Sequence, residues 1–308
     1  MNTRSIFFIT IAIAITLFSV ASIFYCKALG LTGWDDFEDP TPATATPATL
    51  TTPTPPASST PSIPATPTPA PATPTPATPT PPDITWVTIA GGTFTMGDAW
   101  GDGGSDELPT HTVTISSFKM QQTEVTFYQY DKCVSAGICD ESSYNGDSSY
   151  DVPNKPVVGI DWQDATDFCV WVGGDLPTEA QWEYAAGGGS AHWKWSLDES
   201  TFTSSKYCCD KNSASSTCVV GSYSANSLGL YDMSGNVWEW CKDWYQSNYY
   251  TESGSSTDPV CNNDTSGSRV KRGGSWNNNS YVLRSAYRYY FYPTYSNYNL
   301  GFRCACSP

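Results

Sequence analysis

RGGSWNNNSYVLRSAYRYYFYPTYSNYNLGFRC fills positions Arg272–Cys304, between a Gly-Gly-Ser-Trp opening and a Gly-Phe-Arg-Cys close. Between Trp276 and Leu300, Tyr281, Tyr287, Tyr289, Tyr290, Tyr292, Tyr295 and Tyr298 stand among Asn277, Asn278, Asn279, Asn297, Asn299, Ser280 and Ser296, with Phe291 in the middle. Neither a helical period nor strict alternation fits, so no ordinary amphipathic element is expected. Tyrosines interleaved with amides and hydroxyls carry too many polar tips for a dry interior. Binding loops use the same mixture, because Tyr offers rigid amphipathic area and Asn and Ser offer adaptable hydrogen bonds. The tyrosines, Phe291 and the five asparagines are therefore the candidate ligand-binding residues of a surface displayed outside a cell. Packing of Tyr287 or Tyr298 inward is compatible with this. Arg284, Arg288 and Arg303 are expected to pair with buried acids.

Thirty acidic against fifteen basic residues give a net charge of -15 over 308 residues. That balance opposes nucleic-acid binding, which needs Lys and Arg against phosphates, and docking on anionic lipid. The only histidines, His111 and His192, lie far apart, which disfavours a His-based metal or triad site. Eleven cysteines behind an apolar N-terminus point to an oxidising compartment and disulfides. With Cys26 at the membrane edge, ten remain for five bridges. Cys133 and Cys139 are close enough to staple a small loop, and no Cys-x-x-Cys pair recurs to suggest zinc.

Ser5–Tyr25 is an uncharged apolar run of membrane-spanning length, for which ~20 residues are needed. A cleaved signal peptide has a shorter apolar region and a small-x-small site, so an uncleaved anchor over residues 1–27 is expected; cleavage would make the protein secreted. Residues 28–83 form a stalk, and Pro40–Pro82 is almost wholly Pro, Thr and Ala. Such a segment buries no core and extends as polyproline II, on the order of 100 Å when fully drawn out. The folded domain occupies residues 84–308. Ile84–Met96 reads as strand, Gly-Gly turn, strand. His111–Thr126 has further strand character, and Phe127–Val134 is a short helix. A helix capped by Asp161 follows Pro156–Trp162, and Thr178 with Gln181 three residues on makes a capping box for another. Gly187–Asn226 is a long loop held by Cys208, Cys209 and Cys218. The tryptophans of Gly229–Tyr245 are expected in the core. Short helices, long loops and abundant Gly, Trp and Tyr describe a loop-rich α+β domain with small antiparallel sheets.

Gly91–Gly97 (GGTFTMG), Leu176–Tyr184 (LPTEAQWEY), Gly229–Trp240 and Arg272–Trp276, closed by Gly301–Cys304, together resemble the formylglycine-generating, sulfatase-modifying factor family over Ile84–Cys306. The resemblance implies that family's C-type-lectin-like α+β fold. It also implies an oxidase that converts a sulfatase cysteine to formylglycine with copper held by two cysteines, soft ligands suited to Cu(I). In the family those cysteines follow the Gly-Gly-Ser-aromatic motif. Here Ser275 and Trp276 match, but no Cys occurs from Gly273 to Arg303. Copper is therefore not expected, and neither is the oxidase chemistry, unless thiols such as Cys241 or Cys306 serve instead. Cys169 and Cys304 match a family disulfide, while a second family pair falls on Ala186 and Ser285. A structural Ca2+ is implied at Asp232, Gly235, Val237 and Glu239, with oxygen ligands suited to a hard cation. A turn whose acids merely cap is the equal alternative.

Arg272–Arg303 is further similar to the variable region of proteins diversified by retroelements. A frame of Arg-Gly-Gly-Ser-Trp, Leu283–Ala286, Arg288, Pro293 and Leu300–Arg303 is filled mostly by residues reachable from Asn codons. This implies a fixed backbone whose variable side chains meet a protein or glycan ligand on another cell, a phage or a host. A purely structural envelope or adhesion domain is the remaining possibility.

Overall fold

Strand pairing distributes the chain over three small sheets rather than one. The computed structural model describes residues 79–210, 215–253 and 256–308. The anchor and nearly all of the stalk expected from the sequence lie outside the described residues. In chain order the elements are β1 (Trp86–Ile89), β2 (Gly92–Met96), β3 (His111–Ile115), β4 (Phe118–Gln121), α1 (Phe127–Ser135), α2 (Trp162–Trp171), α3 (Glu179–Ala186), β5 (Trp238–Trp244), α4 (Tyr249–Ser253), β6 (Ser256–Thr257), β7 (Arg269–Arg272), β8 (Tyr289–Phe291), β9 (Leu300–Gly301) and β10 (Ala305–Cys306).

The strand, Gly-Gly, strand reading of Ile84–Met96 holds for the strands but not for a hairpin. β1 pairs antiparallel with β4, and β2 pairs with β3 in a separate sheet. The crossing at Gly91 leaves no room for a side chain: a Cβ there would lie 2.5 Å from the Ile115 carbonyl oxygen. The third sheet has the order β8-β7-β5-β9. The expectation of antiparallel sheets needs one correction, because β3–β6 and β5–β9 pair parallel. These are two-residue contacts made by segments arriving from far along the chain, which local patterning does not encode.

The helices start where their caps dictate. Thr126 caps α1 with Gln129 completing the box, Asp161 accepts the Asp164 N–H at 2.9 Å, and Thr178 caps α3 with Gln181. α3 is buried on nearly every side, its acids Glu179 and Glu183 included. One core gathers β1 to β4 around α3, and a second packs α1 and α2 against Trp238, Trp240 and Phe302. The expected core tryptophans behave so, with Trp240 fully buried and Trp238 nearly so, while Trp244 is half-buried.

Cys133–Cys139, Cys169–Cys304 and Cys208–Cys218 form bridges. Five bridges are not reached among the described residues. Cys241, Cys261 and Cys306 join none, with Cys241 enclosed in the first core on β5 and Cys306 half-exposed on β10.

Candidate ligand face

The segment from Trp276 to Asn299 has almost no regular structure, only the three residues of β8. An irregular backbone needs partners for its polar groups, and here buried side chains supply many of them. Arg272 reaches Glu179 at 2.9 Å and Glu183 at 2.5 Å, and also donates to the carbonyls of Ser285 and Ala286. Arg288 grips both oxygens of Glu179 at 2.8 Å. Arg284 forks onto Glu107 at 2.7 and 2.8 Å, and Ser234 donates to the Leu283 carbonyl at 3.0 Å. Burial pushes the Glu183 carboxyl up, but Arg272, with His192, outweighs it and holds the group at about 2. The arginines thus pair with buried acids, as the sequence suggests.

Burial separates frame from filling. Arg272–Trp276, Leu283–Ala286, Arg288 and Leu300–Arg303 are buried, and within the frame only Pro293 is half-exposed. None of Asn277, Asn278, Asn279, Tyr281, Tyr287, Tyr289, Tyr290, Phe291, Tyr292, Tyr295, Asn297, Tyr298 and Asn299 is buried. Among the aromatics Tyr281, Tyr289, Tyr290 and Tyr292 are the most open, with Tyr292 at 62% exposure.

Two groups emerge within the filling. Tyr281, Tyr287, Tyr289 and Tyr290 form a continuous run of ring contacts, with successive centroids 5.5, 6.4 and 5.7 Å apart. Tyr290 also stacks on Tyr245 at 3.9 Å, and Phe291 on Tyr295 at 3.6 Å. The amides gather elsewhere. Asn277 donates to the Tyr298 hydroxyl at 3.3 Å, and Asn299 to Ser275 and Asn277, both at 3.3 Å. Asn278 accepts from the Ser275 N–H and hydroxyl, so its amide holds a turn. Asn297 binds the Tyr295 hydroxyl, and exposed Asn279 accepts the Tyr281 N–H.

Sequence reasoning missed the floor of this face. Trp238 on β5 lies 5.6 Å from Tyr289, and Lys271 on β7 sits opposite Tyr289. The alternation of Arg269-Val270-Lys271-Arg272 was the available signal, since it puts Lys271 and Arg269 on the side away from Val270 and Arg272.

Of the expected calcium positions, Asp232, Gly235 and Val237 lie in the turn before β5 and Glu239 on β5 itself, where it is committed. Its oxygens accept from Arg303 at 2.8 Å each and from the Trp182 indole at 2.8 Å. Asp232 faces a different acid, Glu124, and accepts the Gly221 N–H at 2.7 Å. Glu124 is fully buried, and one of its oxygens has no partner. Burial pushes Asp232 up to about 6, against the Gly221 N–H, Arg303 and a hydrogen bond with Glu124, and burial together with the Asp232 charge raises Glu124. Gly235 (φ 106) and Val237 contribute backbone only. Among the described residues no group of three or more His, Cys, Asp or Glu side chains is placed to hold a metal ion, and Asp232 and Glu124 are the acids here whose oxygens Arg303 does not claim. A copper thiolate pair does not fit. Cys241 is fully buried with its thiol raised far above the usual range, first by burial and then by Glu179, and Cys306 belongs to a different sheet.

A family profile for the sulfatase-modifying factor enzyme 1-like domain matches residues 71–308. The formylglycine-generating enzyme of Streptomyces coelicolor is 34% identical over 278 residues, covering 71% of this chain and 88% of that protein. The serine/threonine-protein kinase Pkn1 of Chlamydia trachomatis is 36% identical over 242 residues, but the match takes in only 38% of that relative's length. Among solved structures, Treponema denticola variable protein 1 superposes with a TM-score of 0.61 at 26% identity, over 73% of this chain and 95% of the other. The loop-rich α+β architecture is that of these relatives, and the chain belongs to the sulfatase-modifying factor enzyme 1-like family.

Proposed function

We propose that this protein is a cell-surface ligand-binding protein, presenting the tyrosine-rich segment of Arg272–Cys304 on a formylglycine-generating-enzyme scaffold that has lost the copper thiols. One observation carries the reading. Every residue singled out as filling stays open or half-open, while nearly all of the interleaved frame is buried and pinned by Arg272, Arg284 and Arg288. A backbone held from below tolerates exchange of the side chains above it, which is what a diversified surface requires. Likeness to a protein named variable protein 1 supports the same reading. Exposed aromatic area of this extent is characteristic of partner surfaces. Calcium, held by Asp232 and Glu124, is proposed as a structural ion beneath β5.

The test is a selection of peptides from a random library displayed on phage, run on the full chain beside an array of glycans. Ligands are expected that lose affinity about tenfold or more when Tyr289 and Tyr292 are changed to Ala. Absence of any ligand sensitive to those changes would overturn the reading. The diversification part is separately decided by the neighbouring DNA, which should hold an Asn-rich near-copy of the codons for Arg272–Arg303 and a reverse-transcriptase gene.

A further inference from the structure

The five buried cations of the described residues are Lys271, Arg272, Arg284, Arg288 and Arg303. Each guanidinium is paired with a carboxylate 2.5–2.9 Å away. Lys271 has no such partner. Its backbone is paired within the sheet, but no hydrogen bond or ion pair to its amine exists among the described residues, although the residue is only 5% exposed. It is not among the fully enclosed polar atoms that lack a partner, so solvent still touches the amine.

Its surroundings are rings. The Lys271 Nζ stands 4.8 Å from the Trp238 ring centre, 5.3 Å from Tyr289, 5.5 Å from Phe291 and 5.6 Å from Tyr295. Those four come from β5, from β8 and from the loop after it, and they bring no carboxylate. The phenols of Tyr289 and Tyr295 are the titratable groups facing the amine. Ring faces attract a cation, but they do not neutralise it. Burial pulls the amine down to about 7, which is the cost of holding a charge without a counterion.

We propose that Lys271 is the charged anchor of the ligand face and receives an Asp or Glu side-chain carboxylate of a protein partner laid across Tyr289, Phe291 and Tyr295. This rests on the ligand-binding reading above and names the partner's chemistry. An incoming carboxylate supplies the missing counter-charge in a poorly hydrated place, where a charged pair with good geometry is strong. A protein partner is preferred to a sugar on the state of the neighbouring amides, since aromatic walls suit either. The amides that would meet sugar hydroxyls, Asn277 and Asn299, are bonded to Tyr298, Ser275 and each other. Apolar side chains flanking an acid match such a floor better.

The peptides selected on the full chain decide it. Those that depend on Tyr289 should carry an Asp or Glu, and their affinity should fall about tenfold or more with Lys271→Met and with Lys271→Gln. Lys119→Met, on β4 away from the face, should leave it unchanged. Two neutral variants of similar length are used, and urea unfolding reports whether each still folds. At about pH 8 binding should also take up protons, because a neighbouring carboxylate returns the amine to its charged form. Calorimetry in buffers of different ionisation enthalpy reads that uptake, which Lys271→Met should abolish. Tyr289-dependent peptides without an acid, or indifferent to both lysine variants, would overturn this anchor and leave the ligand face standing. Acidic glycans bound through Lys271 in place of peptides would overturn the protein partner. No Tyr289-dependent ligand of any kind would overturn both.

Discussion

Arg303 shows how much of this fold depends on single buried pairs. It binds Glu239 through two contacts of 2.8 Å and donates to the carbonyls of Gln121, Gln122 and Tyr231. Both charges are fully or almost fully buried. Removing one partner leaves the other uncompensated, which costs more than the pair contributes. Arg303→Met should therefore lower unfolding free energy by about 3–5 kcal/mol. Arg303→Met combined with Glu239→Gln should cost clearly less. Urea unfolding of the three proteins checks this, and equal losses for single and double variants would contradict it. At the same scale, the Gly-Phe-Arg-Cys close was visible in the sequence as a motif, but its partner, sixty-four positions away, was not.

At the scale of elements, helix starts were legible because a cap and its capped N–H lie three residues apart. Thr178 and Gln181 exchange bonds of 3.0 and 3.1 Å as their spacing requires. The turn before β5 was less legible. It bends through Asp232 (φ 59), Gly235 (φ 106) and Asn236 (φ 57), left-handed positions that Asp, Asn and Gly favour. Which acids face its centre depends on Glu124, delivered from the end of β4 and named by no local signal. If calcium sits there, chelation with EGTA should lower Tm of the full chain by about 5–10 °C. Glu124→Gln should remove that difference, whereas loss through Glu239 alone would restore the expected ligand set. Differential scanning calorimetry with and without Ca2+ gives the answer.

Across the whole domain, the Cys169–Cys304 bridge ties α2 to the segment before β10 over a separation of 135 residues. Closing so long a loop restricts the unfolded chain strongly. Cys169→Ala with Cys304→Ala should cost about 3–5 kcal/mol, against about 2 kcal/mol for the Cys133–Cys139 pair, whose separation is six. Guanidinium unfolding of the two double variants compares them, and a reversed order would mean that strain or residual structure dominates. The same bridge lies between β9, which adds an edge to β5, and β10, which adds an edge to β4.

Composition and motif order in one chain were enough to establish the family, the α+β class, the helix caps, two of the disulfides and the tyrosine-rich segment. Those features are short-range or read directly from residue type, except the Cys169–Cys304 pairing, which came from the family resemblance. Pairing across distance was decided elsewhere. The parallel β5–β9 contact, the carboxylate given to each arginine, the commitment of Glu239 to Arg303 and the enclosure of Lys271 by Trp238, Tyr289, Phe291 and Tyr295 all join residues from separate segments. A residue's burial depends on what the rest of the chain lays over it, and no window of sequence contains that.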